Sequence, residues 1–275
     1  MSIRQRTKEP KWIKPTLILI ALLFLGVFII LPLITIFTKA FEYGFSTYLE
    51  SILEDDALLA IKLTLLIAII CVPVNTFFGV LLAWAIAKFE FRGKSFLITL
   101  IEIPFAISPV IVGLMIVILF GPTGWFDGLF GNIQITYAVP GIAIATLFIT
   151  FPFVARELIP LMQEMGKDDE EAALTLGANG LQTFFKITLP NIKWGVLYGV
   201  ILTNARTMGE FGAVAVVSGM IRGETVTMPL FIEVLYGEYM FTAAFAIASL
   251  LTFLALVTLV VKAVIEKFLT KQKSH

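Results

Sequence analysis

Histidine, cysteine and charge are the scarce components of this chain, and each shortage removes a class of chemistry. The single histidine is His275, the last residue. Histidine acid–base catalysis, Ser-His-Asp triads and histidine metal sites are therefore unsupported, and the sequence predicts neither a catalytic constellation nor a metal site. The single cysteine, Cys71, lies in an apolar run and can form no internal disulfide, so the redox compartment is not readable from it. No Gly-x-x-x-x-Gly-Lys-Ser/Thr loop occurs, and the chain is not expected to bind and hydrolyse ATP by itself. Charged residues are only 15% of the 275, against about 25% in soluble domains. The 20 basic and 20 acidic side chains cancel, leaving no basic stripe for nucleic acid. What is abundant is apolar: hydrophobic residues make up 59% and the mean hydropathy is +0.96. A soluble globule already exposes much apolar surface and could not hide this excess. The composition is that of a polytopic membrane protein.

A hydrocarbon core about 30 Å thick needs about 20 helical residues to cross it. Six apolar runs meet that length, at approximately 16–38, 58–87, 96–120, 135–159, 194–217 and 243–265. They are too long and continuous for barrel strands, so the predicted fold is all-α with six transmembrane helices. Orientation follows from the loop lysines and arginines. Arg4, Arg6, Lys8, Lys11 and Lys14 precede the first span; Lys88, Arg92 and Lys94 follow the second. Lys167, Lys186 and Lys193 follow the fourth, and Lys267, Lys271 and Lys273 the sixth. The intervening loops carry only Lys39, none, and Arg222. Both termini are therefore expected in the cytoplasm. The first run is longer than a signal-peptide core and lacks an Ala-x-Ala site, so it is expected to stay as a membrane helix. The predicted organisation is an arm at 1–15, a first helix and outer loop at 16–57, a core at 58–265 and a tail at 266–275.

The longest cytoplasmic connection, about 160–193, opens on Asp168, Asp169, Glu170 and Glu171, continues with Ala172, Ala173, Leu174 and Leu176, and reaches Gly177. Acids suit the positive end of a helix dipole and glycine the position just past a helix end, so a short cytoplasmic helix is predicted there. A second helical stretch runs from Gly180 to about Leu189. A solvated surface helix is one reading of the first. The other is a docking element, whose alanines let a partner approach closely and whose leucines supply apolar contact.

From Glu171 the chain reads Glu-Ala-Ala, three residues, Gly, nine residues, Ile, one residue, Leu-Pro. Glu171, Ala172, Ala173, Gly177, Ile187, Leu189 and Pro190 thus match every fixed position of the EAA signature of ABC-importer permeases. In that family, as the resemblance implies, the loop helix inserts into a groove of the ATP-hydrolysing subunit and couples hydrolysis to the gate, with Leu174 among the contacts. The stretch ARTMGEFGAVAVVSGMIRGETVTMPLFIEVLYGEY, from Ala205 to Tyr239, is similar to the W-type permease of sulfate/thiosulfate importers. The segment Ile101–Met115 resembles the same group, with Glu102 where the family suggests Asp. Molybdate and tungstate permeases share the GEFGA segment, and the T-type sulfate subunit matches less well at Val214–Ser218. The resemblance implies a type I importer permease in the inner (plasma) membrane. Its partners would be a T-type permease as heterodimer, a dimer of ATP-binding subunits and an extracytoplasmic sulfate-binding protein. ATP and Mg would be used by the ATPase partner, and no cofactor bound by this chain. An ion-coupled secondary transporter would need no such loop.

A sulfate path must be wet, and interrupted helix ends can hold anions without fixed cations. In the third run Pro104 and Pro109 flank Ser108, so the helix is predicted to kink or break. These residues either line the passage or form ordinary proline kinks. Arg206 and Glu210, at i and i+4 in the fifth run, can pair on one helix face. The pair either braces the helices or meets the anion. Glu102 would repel an anion and suits packing or gating; Lys62 and Arg156 are expected to snorkel from span ends. At Ile221–Tyr239, Leu230, Phe231, Val234 and Leu235 suggest an amphipathic helix lying in the outer interface, or a contact for a binding protein or partner permease.

Overall fold

A computed structural model describes residues 12–128 and 133–272. Arg4, Arg6, Lys8, Lys11, Lys273 and His275, used above for orientation or chemistry, lie outside the described residues. The described residues form helices and turns, with no strand among them. Two spans are continuous and long: α1, Ile13–Ala40, and α3, Asp55–Lys88, joined by the short α2, Phe45–Leu53. The third predicted span is two helices, α4, Lys94–Ala106, and α5, Pro109–Phe120, bent by 104°. Next come α6, Val139–Glu164; α7, Asp168–Thr175; α8, Gly180–Thr183; and α9, Leu189–Met208. The chain closes with α10, Gly212–Val217; α11, Met228–Gly237; and α12, Phe241–Gln272.

Length and apolarity alone identify four spanning helices, or five with the bent α4–α5 pair. The predicted fifth run, 194–217, is the one they do not pick out. It holds Asn204, Arg206, Thr207 and Glu210, which dilute its hydropathy, and it is split at Gly209–Phe211 into α9 and α10. The fourth run extends as helix to Glu164, so the connection after it begins later than 160.

Proline placement accounts for much of the shape. Pro109 drives the residue before it out of the helical region, and Ser108 sits at φ −60°, ψ 135°. The break falls there, while Pro104 stays inside α4. Two other prolines are handled by a wider turn. A π-turn at Gly26–Ile30 places the Leu31 N–H on the Gly26 carbonyl just before Pro32, and one at Phe184–Thr188 places the Leu189 N–H on Phe184 just before Pro190. A proline has no N–H and its ring crowds the carbonyl four residues earlier, so a widened turn relieves both defects without breaking the rod. The second π-turn joins α8 to α9 continuously. The stretch from Gly180 is therefore continuous with α9, the helix of the predicted fifth run, and not a separate loop element.

The core is built on α3, which packs against α6 and α9. Val80 and Ala83 of α3 meet Val154, Leu158 and Met162 of α6 and Ile192 of α9. A polar tie crosses this interface: the Asn75 amide donates to Thr150 Oγ1 at 2.8 Å and to the Leu147 carbonyl at 3.2 Å. At the opposite end Ala57, Ala60 and Leu63 pack with Leu230, Phe231 and Leu235 of α11 and with Ile247 of α12. α11 is thus a core helix, and the expected interfacial helix is corrected. Its apolar stripe is buried because α3 and α12 cover it, which no local pattern in 221–239 could show. Its exposed rim is Tyr236, followed by Tyr239 and Met240. α1 has none of its apolar window buried and packs chiefly through its second half on α12, so nearly all of it faces outward.

Candidate functional site: an exposed loop helix and two adjoining helix breaks

The loop helix forms as the sequence predicts. α7 starts with four acids and ends on a Schellman-type stop. The Gly177 N–H donates to the Leu174 carbonyl and Ala178 N–H to the Ala173 carbonyl, both at 3.0 Å. Gly177 has φ +90°, the left-handed conformation this stop requires. Two residues on, Asn179 and Gln182 form a reciprocal capping box, each bond 2.9 Å, that starts α8. The stop and the restart hold α7 at a defined angle. Leu176 is 89% exposed and Leu174 51%; Glu171 and Ala172 are exposed and Ala173 is half-buried. Leu181 and Phe185 extend the apolar surface. Ile187 and Leu189 are half-buried and root the loop; Pro190 is exposed in the first turn of α9.

One acid of α7 turns inward. Glu170 Oε2 lies 3.2 Å from Lys88 Nζ at the end of α3, and Glu170 Oε1 accepts from Thr188 Oγ1 at 2.6 Å. Lys88 also donates to the Gly166 carbonyl beyond α6, and the Asn191 amide to Asp169 Oδ2 at 3.3 Å. Sequence reading assigned Lys88 only to loop charge and Glu170 only to the helix dipole. Thr188 lies 18 positions from Glu170 and Gly166 lies 78 from Lys88, and no local signal joins them.

The second cluster lies where the two broken spans meet. α10 packs on α5 at a spacing that admits no side chain at two positions. A Cβ on Gly113 would come within 2.6 Å of the Ala213 carbonyl, and one on Gly212 within 2.9 Å of Pro109. Glu210, 2% exposed, sits in the break itself. Its Oε1 accepts from the Ala213 N–H at 3.1 Å, capping α10, and its Oε2 lies 2.7 Å from Arg206 Nη2. The expected pairing forms, although α9 ends at Met208 and Glu210 is past it rather than on the same helical face. Thr64, Thr146, Thr207 and Thr227 line a small cavity of about 10 Å³ beside Glu210. The hydroxyls of Thr146, Thr207 and Thr227 have no partner among the described residues. Sequence reading missed this threonine lining, whose members come from four different segments.

Of the other candidates, Pro109 reaches this junction through Gly212, Ser108 and Glu102 are exposed, and Pro104 is buried in α4. Arg156 is exposed in the second half of α6, and its guanidinium stacks 5.0 Å over the Phe105 ring. Lys62 is exposed near the start of α3. On the face away from α7, Arg222 ties Asp56 at 2.5 Å and Glu238 at 3.0 Å, with Glu54 at 3.6 Å. The Asp56 hydrogen bond, foremost, raises the Arg222 pKa above its ordinary value.

An all-helical membrane core with two broken spans and an exposed helix on a stiff connection is the fold of an ABC-importer permease. A bacterial alginate ABC transporter, crystallised with an alginate pentasaccharide-bound periplasmic protein, shares it: TM-score 0.77 at 20% identity, covering 92% of each chain. The family model of the binding-protein-dependent transport system inner membrane component matches residues 75–271. The sulfate transport system permease protein CysW of Synechococcus elongatus is 52% identical over 94% of this chain and 92% of its own. The sulfate transport system permease protein CysT of Salmonella typhimurium is 36% identical over 84% of each. The chain belongs to the binding-protein-dependent inner-membrane permease family and, within it, to the W-type branch.

Proposed function

We propose that this chain is the W-type permease subunit of an ATP-driven sulfate/thiosulfate importer of the inner (plasma) membrane, with both termini in the cytoplasm. The similarity to the W-type relative, 52% against 36% for the T-type, carries the reading of the cargo and of this subunit's place beside a T-type partner. The partners are that second permease, a dimer of ATP-binding subunits that use ATP and Mg, and an extracytoplasmic sulfate-binding protein. The chain itself performs no covalent chemistry.

α7 is the ATPase contact. Its exposed leucines and small alanines suit a groove, and the Gly177 stop and Asn179 cap make it a rigid plug. Movement of the ATPase dimer displaces α7 and shifts the membrane helices between two arrangements that open to opposite sides, with each partner favouring one of them. The meeting point of α5 and α10 lies in the anion pathway. There Arg206 and Glu210 brace the break, while Ser108, Pro104 and Pro109 shape the facing one.

The test is uptake of radiolabelled sulfate in cells lacking this chain, with and without the gene restored and with molybdate as competitor. Restored uptake that ignores low molybdate is expected. Normal sulfate uptake with lost molybdate uptake would reassign the cargo and keep the permease.

A further inference from the structure

Acids in the first turn of a helix stabilise its dipole from a solvated position, and Asp168 and Glu171 of α7 are exposed as that role requires. Glu170 is not: its side chain is 15% exposed and that of its partner Lys88 8%. The dipole does not explain this burial. Nor does the pair resemble an ordinary surface salt bridge, which is screened and contributes little. Glu170 uses both carboxylate oxygens on different elements, Lys88 on α3 and Thr188 at the entry to α9. Lys88 completes the set by donating to Gly166 at the end of α6. The three helices reached are those that pack together as the membrane core.

Without these bonds α7 would be loosely hung. The hydrogen-bonded stop at Gly177 fixes one end only; before the other end Gly166, at φ +71°, has open space around it, and glycine rotates there at little cost. A cleft of about 250 Å³ also lies between α7 and the core, lined by Glu171 and Leu174 on one side and Trp84, Phe89 and Thr183 on the other, so apolar packing does not seal the joint. Charge-assisted hydrogen bonds are stronger and more directional than neutral ones, and they fix an angle as well as a distance.

We propose that Lys88, Glu170 and Thr188 form a clamp that delivers the displacement of α7 to α3, α6 and α9 together instead of letting the loop absorb it. These are positioning residues for coupling, and the proposal rests on the reading of α7 as the ATPase contact. Breaking the clamp leaves the docking face intact and loosens its hold on the core. ATP is then hydrolysed with less transport.

The experiment measures sulfate moved per ATP hydrolysed by the complete transporter in membrane vesicles, for Glu170→Gln, Lys88→Met, their double, Thr188→Val and Gly177→Asp. Each charge variant is expected to lower the ratio about tenfold, the scale set by a hydrogen bond to a charged group. Membrane level and recovery of the ATPase subunit with the chain stay as in the parent. The double is expected to be no worse than either single, because both remove one interaction. Thr188→Val keeps the ion pair and is expected to lower the ratio about threefold, less than the charge variants because Glu170 retains Lys88 as its partner. It remains informative if the charge variants fail to reach the membrane, and an unchanged ratio in it overturns the clamp. Parent-like ratios in assembled charge variants, with Gly177→Asp uncoupled, overturn the clamp and leave the ATPase contact standing. A parent-like ratio in Gly177→Asp as well removes both.

Discussion

Arg206 and Glu210 are held 2.7 Å apart across the end of α9, the Arg206 side chain one-third exposed and that of Glu210 buried. The asymmetry decides what each removal does. Glu210 has two duties, neutralising Arg206 and capping α10, whereas the Arg206 guanidinium is partly solvated. Arg206→Ala strands a buried carboxylate and is expected to cost about 2 kcal/mol, the low end for a broken pair because Arg206 is partly solvated. Adding Glu210→Ala removes the stranded charge and is expected to restore part of the assembly lost. The check is the membrane level and thermal unfolding of the purified complex for the single and double variants. Normal assembly of both, with a raised sulfate requirement in the single alone, would instead assign Arg206 to the anion.

Gly177→Asp tests the loop. A Cβ there meets nothing within 4 Å, so the substitution does not clash within the chain. It does place a side chain in the left-handed region, at a cost of about 1–2 kcal/mol, and a charge beside Leu174 and Leu176. Insertion is expected to survive and uptake to be uncoupled from ATP hydrolysis. Unchanged uptake at normal membrane level would remove α7 from the coupling path.

Contact between α5 and α10 depends on the missing side chain of Gly113. Its Cβ would overlap the Ala213 carbonyl, a backbone atom that cannot swing aside. Gly113→Ala is expected to destabilise the protein by about 1–3 kcal/mol through overpacking. At Gly209 the nearest such contact is an ordinary 3.5 Å, so Gly209→Ala is expected to be tolerated. Thermal unfolding in detergent separates the two; equal shifts would refute the close-approach argument.

Arg222 is engaged by Glu54, Asp56 and Glu238 and is not a free cation for drawing in an anion. Arg222→Ala leaves three carboxylates around an empty centre. The expected loss is about 1 kcal/mol, since the cluster is partly exposed, and it should shrink as salt screens the repulsion. Hydrogen exchange at residues 218–227 is the readout, and exchange unchanged at low salt would contradict it. A fall in sulfate affinity without such loosening would show Arg222 meeting the anion.

Local signals were legible because they act over one or two turns. The acidic start of α7, Gly177 just past its end and Pro109 breaking the third run each rest on backbone constraints carried by one residue. α11 was misplaced because amphipathicity reports a stripe of leucines but not what covers it. Leu230, Phe231 and Leu235 would look the same against lipid as against α3 and α12. The fifth run illustrates the reverse. Its apolar residues are diluted by Arg206 and Glu210, and it packs in the core as α9 and α10 with a capped break between them.

By itself, the sequence determined that this chain lives in a membrane, is helical, carries an exposed helix on a long loop and breaks its third run near Pro109. Those follow from composition, period and the conformational limits of proline and glycine. Only the tertiary structure decided that Glu170 turns inward to Lys88 and Thr188, and that Glu210 closes a helix break beside unpaired threonines. It also decided that Arg222 is bound by three acids. Each joins residues distant in the chain, and such pairing is set by how α3, α6, α9 and α10 pack, through burial and close approach that no window of sequence contains.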